Sequence, residues 1–244
     1  MHRRHRIIAV AASLTTTVVG TTLVAGSASA ANSAKTMYQA ALKAAGSENV
    51  HFVSKATEQG ISLEVVGDAG KSAGSQVLEV QNGSTTEHLA VVLIGSTGYI
   101  RGNESALEKV VGLTAAQSSS YTNKWLSFPT SNSQLAELIS SLRHADVAQE
   151  LRMTGPYTMG GTKVIAGHMT QAINGTASTS SGTKVPIVLY VTASGTPRPV
   201  EEVTNPNAKS SSITGTVIFS NWGEMTHPTA PTKSTPLVPL LPAA

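Results

Sequence analysis

Along most of the chain, β-branched and aliphatic residues alternate with polar ones in short runs, and each run stops at a cluster of Gly, Asn, Asp or Ser. Ile61, Leu63 and Val65 alternate with Ser62 and Glu64, the two-residue period of a strand that buries one face. The same texture predicts strands over 50–58, 61–67, 76–81, 87–94 and 98–101, with turns at Glu58-Gln59-Gly60, Gly67-Asp68-Ala69-Gly70 and Gln81-Asn82-Gly83. Such connections are too short for a crossover helix, so these strands form an antiparallel meander. The run Leu89-Ala90-Val91-Val92-Leu93-Ile94 is apolar at every position, which predicts a strand in mid-sheet with cover on both sides.

Elsewhere the period lengthens to that of a helix. Residues 37–45 are good helix formers stopped by Gly46, and 104–113, 132–142 and 145–151 form a helical interlude. Ser133 stands at an N-cap position, with Leu135, Leu138, Ile139 and Leu142 on one apolar stripe behind it. Strands resume over 153–158, 163–174, 185–193, 199–204 and 213–219, with a turn at Ser194-Gly195-Thr196-Pro197 and a flexible loop over 175–182. From Pro228 to the end, proline is too frequent for sheet pairing, and 228–244 reads as an extended or disordered tail. Strands, then helices, then strands favour an α+β fold with one antiparallel sheet and its helices gathered on one face.

The first thirty residues follow another pattern. Arg3, Arg4 and Arg6 precede a modestly apolar stretch over 7–24, and Ala28-Ser29-Ala30 supplies the small residues a signal peptidase accepts, so cleavage before Ala31 is expected. Threonines interrupt the stretch, leaving it short of the roughly 20 apolar residues of a membrane span. Removing it changes the charge argument. The chain carries 17 Lys+Arg against 14 Asp+Glu, and the excess belongs to this segment. The balanced remainder lacks the basic patch that nucleic-acid binding requires. With no cysteine in an exported chain, stability rests on the core.

Candidate chemistry thins out on inspection. Gly70-Lys71-Ser72-Ala73-Gly74 matches the G-x-S-x-G nucleophile elbow, but that motif needs a strand before it and a helix after, and here strand follows strand. Ser181-Gly182-Thr183-Lys184 is an S-x-x-K string in a Ser/Thr-rich loop with no helix to aim the lysine. Beyond the N-terminal segment, His51, His88, His144, His168 and His227 lack metal-ligand spacing, so no metal is expected. Glu201 and Glu202 are neighbours in a strand and point to opposite faces, which rules out a catalytic carboxylate pair and suggests a solvated edge. No catalytic residue and no cofactor emerge.

Three stretches together resemble the LolA-like carriers, in particular the LppX/LprG-type lipoproteins of actinobacteria. They are Tyr99-Ile100-Arg101-Gly102 followed by Lys124-Trp125-Leu126-Ser127-Phe128-Pro129; Val188-Leu189-Tyr190-Val191 with Pro197-Arg198-Pro199-Val200-Glu201; and Val217-Ile218-Phe219-Ser220-Asn221-Trp222-Gly223-Glu224 running into Ala230-Pro231. The resemblance spans most of 34–231 and implies a strongly curved antiparallel β half-barrel, closed by helices on its concave side around a cavity for acyl chains. Ser27 stands where those lipoproteins carry their lipidated cysteine, so a tether is not expected. The resulting expectation is an exported, extracytoplasmic, monomeric protein with a single LolA-like domain over 31–227. It would be a non-enzymatic carrier for a lipid or other hydrophobic ligand, open to transient membrane contact. Leu63, Val65, Val91, Leu93, Trp125, Ile187, Leu189 and Val191 are the candidate ligand-lining residues. Inward aliphatic residues equally suit a filled core, and a cell-envelope interaction module with such a core is the alternative. Trp125 and Trp222 are expected to be substantially buried where sheet meets helical cover.

Overall fold

A computed structural model describes residues 25–178, 182–208 and 214–241, with side chains from Ser33 onward. The predicted leader lies outside the described residues up to residue 24. From there helix α1 (Ala25–Ala45) runs through, starting well before the expected Met37. Among the described residues no helix is long and apolar enough to cross a membrane.

The first meander is β1 (Val50–Glu58), β2 (Ile61–Ala69), β3 (Ala73–Asn82), β4 (Thr85–Ile94), β5 (Thr97–Gly102) and, after two short helices, β6 (Leu126–Pro129). The second is β7 (Thr154–Ile165), β8 (His168–Ser178), β9 (Lys184–Thr192), β10 (Pro199–Thr204) and β11 (Thr214–Ser220). Because β11 returns to pair with β1, the two meanders fuse into one sheet, to which β12 (Thr235–Pro236) adds. The order is β12-β6-β5-β4-β3-β2-β1-β11-β10-β9-β8-β7, antiparallel throughout apart from β12 on β6. This is a curved, open α+β sheet; it does not close into a barrel.

The helical interlude is more broken than its periodicity suggests. α2 (Glu104–Ala106) opens on an Asn103 cap and continues as one π-helical turn over Leu107–Val111. α3 (Ala115–Tyr121), unanticipated in the Ser-rich stretch, starts with a capping box between Thr114 and Gln117. Only Ala136–Ile139, as a 3₁₀ turn, forms within the stripe at 132–142. Its four apolar residues are buried all the same, and the backbone amide of Gln134 is capped by Asn132 rather than Ser133. α4 (His144–Glu150) completes the cover.

Four further expectations change. The strand expected at 163–174 is a hairpin, turning at Ala166 and Gly167, both at positive φ (49° and 83°). Pairing continues past Gly175 to Ser178, and 179–181 lie outside the described residues. β4 lies inside the sheet but is covered on one face: Leu89, Val91 and Leu93 are buried, whereas Ala90, Val92 and Ile94 are half-exposed. The proline-rich tail docks over 235–240, because alternate residues can still pair at an edge. The Thr235 and Leu237 amides donate to the Trp125 and Ser127 carbonyls, and Leu237 is fully buried.

Candidate functional site

Cross-strand neighbours share a face, and the register sets out one inner row across the sheet: Ile173, Leu189, Glu202, Val217, Ser54, Val65, Leu78, Leu89 and Gly102. The helical cover lies over this face. It is stitched down by Gln76, whose side-chain amide donates to the Leu138 carbonyl at 2.9 Å and accepts from the Ser141 hydroxyl at 2.7 Å. Backbone bonds join Gly70 to Leu142 and His144. The G-x-S-x-G match is thus the β2–β3 turn, and its glycines serve packing: a Cβ on Gly74 would run into the Leu142 carbonyl oxygen.

Between the cover and strands β1, β2, β3, β10 and β11 lies a cavity of about 350 Å³, within the range of small-ligand pockets. Phe52 and Phe219, paired across β1 and β11, stand at one end. The exposed Lys55 and Thr57 stand toward the β1–β2 hairpin at the other. Leu63, Val65, Leu78 and Val217 form the apolar wall, and Val147 and Leu151 face them from the cover. Small residues, Ser54, Ala56, Gly215, Ala136 and Ser140, stand among them.

Four glutamates line this space, Glu58, Glu137, Glu150 and Glu202, and the protonation of two of them, Glu150 from α4 and Glu202 from β10, is shifted strongly. Burial pushes Glu202 up to about 8, and the nearby Glu150 charge adds to the rise. Glu150 is an exposed residue whose carboxyl reaches into the cavity; desolvation there raises it to about 7, against a hydrogen bond donated by Ser140 at 3.2 Å and with Asp146 raising it further. The solvated edge expected at Glu201-Glu202 is therefore corrected. β10 is an interior strand, with Glu201 on the outer face bonded to Lys163 at 2.6 Å and Glu202 turned into the cavity. Above the same end, the Tyr38 hydroxyl on α1 accepts from the Met153 amide at 2.6 Å and donates to the Leu151 carbonyl at 3.2 Å. Its ring packs on Tyr157 at 4.9 Å.

Of the residues nominated from sequence, Leu63 and Val65 line the cavity. Val91, Leu93, Ile187, Leu189 and Val191 are instead packed in the core, with 3 % or less of their surface exposed. Trp125 stands apart from the cavity, half-buried, under the Arg101 guanidinium at 4.9 Å. Trp222 is also only half-buried, and its indole N–H donates to the Pro199 carbonyl at 2.8 Å, fixing the chain after β11. The acids, Ser54 and the small lining residues were missed. Their signal was in the strand alternation, which puts Glu202 in register with Leu189 on an inner face.

A second cavity of about 250 Å³ on the outer face brings His51, Asp68 and Ser75 together. The His51 Nδ1 and Asp68 carboxylate are 2.9 Å apart. Yet Asp68 sits between His51 and Ser75 on adjacent strands, whereas a serine relay places the imidazole between acid and hydroxyl. No group of His, Asp and Glu among the described residues is arranged to hold a metal ion.

No protein-family model and no curated protein matches the chain by sequence. Its fold is similar to the crystal structure of LprF from Mycobacterium bovis, with a TM-score of 0.53 and 17 % identity over 81 % of this chain and 97 % of that one. An uncharacterized conserved protein from Thermus thermophilus aligns at a TM-score of 0.43 and 11 % identity, over 83 % and 97 % of the two chains. The MucA/MucB complex of Pseudomonas aeruginosa aligns at 0.40 and 14 %, over 80 % and 59 %; these two scores are too low to carry an argument. LprF has the LppX/LprG-type fold, so the likeness shows a LolA-like fold for this chain, and at this identity the fold alone.

Proposed function

We propose that this protein is a non-enzymatic carrier that holds an acyl chain or another hydrophobic ligand in the cavity beneath α4, working outside the cytoplasm as a single LolA-like domain that extends beyond residue 227 to take in the docked segment 235–240, and belonging to the LppX/LprG-type carriers. The observation that carries the reading is the hollow itself: about 350 Å³ bounded by Leu63, Val65, Leu78, Val217, Val147 and Leu151. Each methylene moved there from water contributes about 0.8 kcal/mol, so roughly ten of them offset the lower range of the ordering costs of binding. Walls that are mainly aliphatic, with Phe52 and Phe219 at one end only, suit flexible chains better than planar cofactors. The leader-like first thirty residues and Ser27 in the lipidation position support release in untethered form.

Native mass spectrometry of the protein isolated without harsh detergent tests this reading. A carrier retains a co-purifying lipid, seen as a discrete mass above the apoprotein and recovered on organic extraction. Apoprotein alone, with nothing extracted and no acyl probe bound on addition, would replace the carrier with an envelope interaction module.

A further inference from the structure

We propose that the cavity selects an amphiphile whose polar part donates hydrogen bonds and carries no negative charge, and that the carboxyls of Glu150 and Glu202 make the selection. This rests on the carrier reading and narrows the ligand class. In the inner row Glu202 replaces what would otherwise be another apolar or small residue between Leu189 and Val217. A carboxyl in such a wall is costly without a partner, and among the described residues no hydrogen-bond donor reaches it. It opens onto the cavity, so the donors it accepts from are water or the polar part of a ligand that displaces that water.

The titratable groups around it reinforce the preference. Glu150 faces it from α4, with Asp146 behind and Glu137 on the neighbouring 3₁₀ turn. Tyr38 approaches from α1. Glu58 and Lys55 belong to β1, but the Lys55 ammonium is bound to Glu64 at 3.2 Å. Arg152 acts on Tyr38 and is no part of the lining. On β9 and β11 the inner-face partners of Glu202 are Leu189 and Val217, which carry no charge. A fatty-acid carboxylate placed here meets like charge wherever these acids are ionised. A hydroxyl or ammonium finds acceptors in either protonation state of the pair. Desolvation holds both acids above their ordinary range, so discrimination is greatest in alkali, where both ionise.

The test uses the full chain and four probes with the same saturated tail: monomyristin, tetradecylamine, tetradecanol and myristate, titrated against a bound fluorescent acyl probe. At about pH 9, monomyristin and tetradecylamine are expected to bind about tenfold more tightly than myristate. Glu202→Gln should bring myristate close to monomyristin, and Glu150→Gln should move it the same way by less, with circular dichroism reporting that each variant is folded. Equal affinity of myristate and the donor-bearing probes, or discrimination unchanged in both folded variants, overturns the selectivity while leaving the carrier reading intact. Failure of all four probes, tetradecanol included, overturns the carrier reading and this inference with it.

Discussion

Strands β4 to β6 and strands β10, β11, β1 and β2 present inner faces of one sheet to one helical cover, yet the first region is filled and the second is hollow. Under β4–β6, Leu89, Leu93, Ile100, Leu126 and Phe128 are buried to 2 % exposure or less, and Leu107 and Leu142 belong to the same core. Under the other group, large residues at Leu63, Val65 and Val217 alternate with Ser54, Ala56 and Gly215, and the cover answers with Ala136, Ser140 and Ser141. What separates the regions is side-chain volume. A residue too small to reach its opposite number leaves space that close packing would otherwise fill.

Truncation should expose that contrast most strongly. Leu89→Ala removes a fully buried side chain from a packed region and should cost about 2–5 kcal/mol in denaturant unfolding. Leu63→Ala, on a wall that already faces empty space, should cost about 1 kcal/mol or less. Equal losses would mean that the hollow is closed in solution. Gly74→Ala attacks the seam between the regions. Its new methyl meets the Leu142 backbone oxygen, which cannot swing away as a side-chain tip would, and a loss of about 1–3 kcal/mol is expected.

The acids sharpen the comparison through pH. A carboxyl whose pKa is raised on folding holds its proton better folded than unfolded. Its contribution is therefore complete below the ordinary value of 4.5 and is lost as pH rises through about 7 for Glu150 and about 8 for Glu202. The melting temperature should accordingly be higher at about pH 5 than at about pH 9, and Glu202→Gln should shrink that difference, chiefly by raising the alkaline value. A difference of unchanged size in the variant would detach Glu202 from it. A modest effect away from the cavity belongs to Trp222→Phe, which keeps most of the ring packed near Phe219 but drops the hydrogen bond to Pro199. About 1 kcal/mol is expected, with acyl-probe affinity unchanged.

The meanders were legible because a two-residue period specifies faces directly, as at Ile61, Leu63 and Val65. The α+β class and the inner position of the stripe Leu135, Leu138, Ile139 and Leu142 followed from the same logic, although the backbone there forms only a 3₁₀ turn. The cavity was not legible, for a related reason. Choosing the most aliphatic inward positions selects side chains large enough to fill their space, so Val91, Leu93, Ile187, Leu189 and Val191 are core. The hollow is marked by residues that look ordinary in a strand, such as Ser54 and Gly215, and by an acid that reads as surface until register places it. The sharp turn at Ala166-Gly167 escaped because its only turn signal is the single Gly167, with alanine beside it at positive φ where Asn or Asp is the usual partner.

Filling the hollow tests the central claim most directly. Ser54 points inward between Val65 and Val217, so Ser54→Phe places a ring in the cavity, while Ser62→Phe adds the same ring to the outer face of the adjoining strand. Titrated with one fluorescent acyl probe, the parent and Ser62→Phe should bind with equal affinity and a stoichiometry near one. Ser54→Phe, folded by circular dichroism, should lose at least about tenfold in affinity. Undiminished binding to folded Ser54→Phe would show that the space beneath α4 is not where a ligand sits.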